Sequence, residues 1–153
     1  MYYLLILLLM LIFPVASIVA ELIFCRTPNL VFVSFKWFVF WAIGIRIIIA
    51  GIRQIVQPKF TSEIILRIKD PQSWILVREL GFSNVAIGVI CLLSLFIHGW
   101  IIPGALSGSI FMGLAGINHI FQRNKNGHEV IAMISDIFIS IVIIALIILF
   151  LIK

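Results

Sequence analysis

The run VIAMISDIFISIVIIALIILFLI, from Val130 to Ile152, carries Asp136 as its only ionisable residue and has no proline or glycine. A hydrocarbon core about 30 Å thick is crossed by roughly 20 apolar residues at about 1.5 Å of helical rise each, so this run is long enough to span a bilayer. Its apolar residues are continuous, without the period-two alternation of a barrel strand. Lipid offers the backbone no hydrogen-bond partner, and such a run must satisfy its N–H and C=O groups internally, as an α-helix.

Four further runs have the same character: Tyr2 to Phe24, Leu30 to Ile52, Phe82 to Ile97 and Ile101 to Phe121. The 153 residues leave room for one domain, and 63% of them are hydrophobic against 11% charged. Soluble chains average roughly 45–50% apolar and about 25% charged, and a core of this size could not hide so much apolar surface. The sequence therefore predicts an all-α integral membrane bundle of about five transmembrane helices, a four-helix core with a more peripheral N-terminal helix.

The first run ends in small residues, Val15-Ala16-Ser17, as a secretory signal does. No Lys or Arg precedes it, however, its apolar character continues past Ala20, and no A-x-A site follows, so the reading is a retained helix. The bulky Leu22-Ile23-Phe24 ahead of Cys25 excludes lipoprotein processing. Cys25 and Cys91 lack a CxxC spacing and a nearby metal-like His, and read as packing residues or free thiols.

Turn-forming residues separate the runs: Thr27-Pro28-Asn29, His98-Gly99 with Pro103, and Asn124 to Gly127. The segment from Gly51 to Gly81 alone has room for extra structure. Thr61-Ser62-Glu63 resembles a helix start, and Ile64, Ile65 and Ile68 share a face against Glu63, Arg67 and Lys69, which predicts a short interfacial helix between spans two and three. Asp70-Pro71 then reads as the N-cap and first residue of a helix that runs on into the third span.

The formal charge of +5 does not point to nucleic acid, because the basic residues lie mostly between apolar runs. Arg53, Lys59, Arg67, Lys69, Arg78, Arg123 and Lys125 share one face of the topology, against Arg26, Lys36 and Lys153 on the other. The positive-inside rule makes the first face cytoplasmic and places a multi-pass protein in the cell membrane with its N-terminus inside.

Ionisable groups within spans are costly and normally face the bundle interior or an aqueous cavity. Arg46 and Arg53 share a face of helix two with Ala42 and Ala50. Helix three opens with Glu79 and Asn84, helix four closes with Asn118 and His119, and Asp136 stands about two turns into helix five, with Ser140 beyond it. All fall toward the cytoplasmic end. Arg46, Arg53, Glu79, Asn84, His119 and Asp136 are the candidate ligand-binding or structural cluster, and Glu79, His119 and Asp136 are the residues that a metal ion would use. The competing reading is that these groups pair to fix helix register, or that the arginines snorkel to headgroups.

Helix four is rich in small residues, with Gly104 and Gly108 on one strip and Ala105, Ser109, Gly113 and Gly116 on the next, which places it at the bundle centre. Trp37, Trp41, Trp74 and Trp100 read as interfacial or lipid-facing anchors. His128-Glu129 reads as a solvated turn before the last helix. No phosphate loop, HExxH, GxSxG, paired-His haem pattern or CxxC occurs, so no catalytic set or cofactor is indicated.

Several short motifs then stand together: Gly51-Ile52-Arg53-Gln54 with Pro58, Arg78-Glu79-Leu80-Gly81-Phe82-Ser83-Asn84 with Gly88, Gly116-Ile117-Asn118-His119-Ile120, Asn126-Gly127 and Asp136-Ile137. From about Gly44 to Leu146 the chain resembles an uncharacterised family of small bacterial and archaeal membrane proteins, a domain of unknown function, and is distantly similar to DoxX-like four-helix membrane proteins. Glu79, Asn84, His119 and Asp136 occupy the motif positions. Members often carry a proline after the aspartate of the last helix, where this chain has Ile139 and Ser140. The resemblance implies the fold and the cluster, not a reaction.

The resulting expectation is a non-enzymatic or accessory membrane protein that binds a small ligand, a lipid, or a membrane partner, a second copy of itself included, with enzymatic activity left open. The alternatives are a quinone-linked oxidoreductase subunit, which the DoxX-like similarity implies, and a proton-coupled small-solute transporter relaying through His119 and Asp136. The absence of evident inverted repeats weighs against the transporter. A topology reporter fused after Lys153 is expected to read outside the cytoplasm, and a cytoplasmic signal would overturn either the span count or the orientation.

Overall fold

The computed structural model describes residues 2–25, 29–123 and 125–152, and these are helical almost throughout, with no strand among them. The turn residues Thr27, Pro28 and Asn124, and the charges Arg26 and Lys153, lie outside the described residues. Five helices are long and apolar enough to cross a membrane: α1 (Tyr3–Phe24), α2 (Leu30–Val56), α3 (Ser73–Leu93), α4 (His98–Phe121) and α5 (Gly127–Ile152).

Four of the five match the apolar runs closely. The third differs: it begins at Ser73, well ahead of Phe82, and ends at Leu93, short of Ile97. Hydropathy measures preference for lipid, not where a helix starts. Asp70 and Pro71 fall in the turn ahead of the helix and are not its N-cap and first residue: Asp70 Oδ1 accepts from the Gln72 N–H at 2.9 Å, Gln72 stands at the N-cap without a side-chain cap, and nothing breaks the chain from Ser73 onward. At the other end Leu95-Phe96-Ile97 remain apolar but form the bend into α4.

α2 packs against each of the other four helices. Its Phe35, Val39 and Ile43 are fully buried, together with Ile139 and Ile143 of α5. With α3 it forms a close antiparallel seam of glycines, Gly51 against Gly81 and Gly44 against Gly88. A Cβ at Gly81 would lie 2.8 Å from the Gly51 carbonyl oxygen, and one at Gly51 would lie 2.7 Å from the Gly81 carbonyl oxygen, closer than real side chains come. Lipid tails are as apolar as leucine, so this backbone approach replaces the hydrophobic drive of a soluble core. α4 packs its small residues on three neighbours: Gly104 on Cys91, Gly108 on Ile43, and Gly113 and Gly116 on Ser140 and Ile137. Ser140 Oγ donates to the Ser109 carbonyl at 2.8 Å across the α4–α5 contact.

α1 buries the smallest share of its length, yet it is fastened to α2 by polar contacts. Glu21 accepts from Lys36 Nζ and from the Trp37 indole N–H, each at 2.7 Å, and the Trp41 indole donates to Ser17 Oγ at 2.9 Å. Trp37 and Trp41 are therefore interhelical donors, not free lipid-facing anchors. An indole N–H turned into apolar surroundings needs an acceptor, and α1 supplies both.

A short, wide π-helical segment, Phe60–Ile65, forms the connector between α2 and α3. It ends earlier than the sequence suggests, because Arg67 takes a left-handed φ of 59° that no helix can continue through. Ser62 is buried and donates to the Ile68 carbonyl at 2.7 Å, closing the connector on itself. Asn126, at the start of α5, donates to the Ile64 carbonyl at 2.6 Å and pins the connector over one end of the bundle.

Replacing Gly81 by leucine is expected to destabilise the protein by about 1–3 kcal/mol or prevent assembly, since the α2–α3 backbones must separate. Gly99→Ala, where an added Cβ meets nothing within 4 Å, should leave the thermal midpoint in mild detergent unchanged. Equal midpoints for the two variants would refute the seam.

Candidate functional site

Arg46 stands ten residues before the end of α2 and Asp136 nine residues into α5, so each lies about 13–15 Å along its helix from the connector end, well inside an apolar span. An isolated charge there is costly, and each is met by the other. Arg46 Nη2 donates to Asp136 Oδ1 and to Ser135 Oγ, both at 2.6 Å. The side chains are only 11% and 17% exposed, so solvent screens the pair little. The second terminal nitrogen, Arg46 Nη1, is buried without an acceptor among the described residues.

A second polar contact joins α2 to α3: Asn84 Nδ2 donates to Gln54 Oε1 at 2.7 Å, and Asn84 Oδ1 is buried without a donor. A third joins α4 to α5. His119 Nδ1 lies 3.4 Å from Glu129 Oε1 and 3.4 Å from Gln122 Oε1, and Glu129 is buried at 3% exposure. Asn126 caps α5 by accepting from the Glu129 N–H at 2.8 Å, which fixes that carboxylate in the first turn. Arg53 is held differently. Its guanidinium carbon lies 3.5 Å from the centre of the Phe60 ring in the connector, and no carboxylate among the described residues lies within ion-pair distance.

These groups surround one cavity of about 230 Å³, lined by all five helices and the connector. Arg46, Arg53, Asn84, His119 and Asp136 line it, and the rest of the wall is largely apolar, with Leu5, Ile6 and Leu9 of α1 closing one side. Ala50, on the inward stripe between Arg46 and Arg53, is exposed, so the cavity is open rather than sealed.

Five of the six sequence candidates thus come together. Glu79 does not: it is exposed on α3, outside the cavity lining, and Asn118 is exposed on α4. Glu79, His119 and Asp136 consequently share no site, and among the described residues no three His, Cys, Asp or Glu side chains converge as a cation needs. Sequence reasoning passed over Gln54, Phe60 and Glu129. Glu129 is the partner of His119 and not a solvated turn residue, and a signal for it existed: Asn126 with an acidic residue three positions on is the spacing of a capping box.

The family of unknown function DUF6790 matches residues 1–152. The chain belongs to this family. No curated protein and no solved structure matches the chain, and no match links it to DoxX-like proteins. The motif-based resemblance begins at Gly44, whereas the DUF6790 match takes in α1, the helix whose Leu5, Ile6 and Leu9 complete the cavity wall.

Breaking the central pair from either side strands a buried charge, so Arg46→Leu and Asp136→Leu are each expected to cost about 3–5 kcal/mol of stability, with the double variant costing far less than the sum. Glu79→Gln should stay within about 0.5 kcal/mol of the parent. Additive losses in detergent thermal unfolding would show that the two charges are not coupled.

Proposed function

We propose that this chain is a membrane-embedded binding protein without catalytic machinery, whose connector-end cavity receives a small ligand with a polar head and an apolar body. The observation that carries this reading is the open cavity itself, on which Arg46, Arg53, Asn84, His119 and Asp136 converge from four helices, with Arg53 lacking a carboxylate partner among the described residues. A cavity with apolar walls and few convergent polar groups is the usual form of a small-molecule site.

The protein sits in the cell membrane with the connector face and the N-terminus on the cytoplasmic side, a reading supported by the excess of Arg and Lys on the connector side. The ligand then enters from the cytoplasmic leaflet or the cytoplasm. A proton-coupled carrier is a second reading with one observation in its favour: His119 and Asp136 line the same cavity.

Native mass spectrometry of protein released gently from detergent tests the proposal. The expected spectrum shows a retained small molecule, lost from Asn84→Leu, which removes the amide from the cavity wall. A bare protein mass under the gentlest release, for parent and variant alike, would overturn the binding reading. A retained quinone would turn it toward redox chemistry.

A further inference from the structure

We infer that the ligand is a single-chain amphiphile with a carboxylate head, received by Arg53. This rests on the binding reading above and adds the chemistry of the head. The charges facing the cavity are Arg46, Arg53 and Asp136, with His119 backed by Glu129. Arg46 and Asp136 neutralise each other at 2.6 Å. The nearby connector carboxylate, Glu63, faces Lys59 at 3.9 Å. Arg53 is left with its positive charge unpaired by any carboxylate among the described residues and lies over the Phe60 ring.

That contact leaves Arg53 able to bind. At 3.5 Å from the ring centre the guanidinium lies against the face of Phe60, which engages its flat surface. The N–H donors lie in the guanidinium plane, in the fork that matches a carboxylate or phosphate oxygen pair. Phe60 fixes the orientation without neutralising the charge.

Size and depth then select among oxyanions. The cavity, about 230 Å³, is smaller than the roughly 300–1,000 Å³ of sites that enclose a drug-sized ligand. It holds a head and the first carbons of a chain, and the exposed Ala50 marks where the remainder leaves. Arg53 lies within the last turn of α2, at the depth where an amphiphile's head meets the interface, while the apolar wall continues inward. A dianionic phosphate monoester would keep one charge uncompensated, and a phosphodiester with two acyl chains exceeds the space. A monoanionic carboxylate on one chain fits both limits.

The test uses the full chain in nanodiscs of zwitterionic lipid, titrated with decanoate, decanol and acetate, with affinity read from the ligand-induced shift of the thermal midpoint. Decanoate is expected to bind, decanol and acetate to bind at least about tenfold more weakly, and Arg53→Gln to reduce decanoate affinity by about tenfold or more while Arg53→Lys retains part of it. If Arg53→Gln fails to fold, decanoate against decanol on the unaltered protein decides alone. Decanol binding as tightly as decanoate would overturn the carboxylate head and leave the binding reading standing. Acetate matching decanoate would make a dissolved anion the occupant and overturn the chain. Displacement of decanoate by added phosphatidylglycerol would overturn the single-chain assignment. Absence of binding by all three, together with a bare native mass, would remove both this inference and the reading on which it rests.

Discussion

The ion pair between Arg46 and Asp136 sets the terms for the rest of the bundle. Neither residue can reach an interface without leaving its helix, so α2 and α5 must lie side by side at that depth for either to be tolerated. The same logic extends along α2. Lys36 is answered by Glu21 of α1, Arg46 by Asp136 of α5, and Gln54 by Asn84 of α3. Each of these three side chains thus finds its partner on a different helix. A helix with obligations to α1, α3 and α5 cannot sit at the edge, and Gly108 of α4, packed on Ile43, completes its contacts with all four others. Polar contacts of this kind define which helices are neighbours and in what register, even where their net contribution to stability is modest.

Close packing supplies what the polar contacts do not. Gly44 and Gly51 meet Gly88 and Gly81 at seven-residue spacing on both helices, so the α2–α3 seam keeps one face along its length. On the other side Gly113 and Gly116 admit Ser140 and Ile137 of α5. α2 and α4 therefore share the centre by different means. α4 does so through small residues, as its sequence suggests, and α2 through its seam glycines together with charges that hydropathy treats as mere interruptions of an apolar run.

That difference explains which parts of the structure were legible in the sequence. The five helices follow from run length, and the grouping of Arg46, Arg53, Asn84, His119 and Asp136 follows from the cost of charge in lipid combined with depth. Depth alone cannot say which way a side chain faces, and Glu79 shows the consequence. The seam glycines contain the missing information: Asn84 lies three residues after Gly81 and four before Gly88, on the packed stripe, whereas Glu79 lies two before Gly81, about 200° away around the helix. Glu21 escaped notice for another reason. Reading α1 as peripheral removed the motive to seek a partner for its one carboxylate, and with it the role of Trp37 and Trp41.

The small residues also separate a cavity that belongs to the fold from one that packing has merely failed to fill. In a bundle held by close approach, a small side chain normally has a neighbour pressed against it, as Gly44, Gly51, Gly81, Gly88, Gly108, Gly113 and Gly116 all do. Ala50, Ala115 and Ala132, from three different helices, instead line open space. Substituting larger apolar residues there would close the gap and gain dispersion contacts, so the packing logic that governs the seams leaves these three alanines unexplained. They border the same volume as Arg53, which has no carboxylate partner among the described residues. Space kept open by small side chains, beside an arginine left without such a partner, is what a binding site requires and what a bundle built only for stability has reason to avoid.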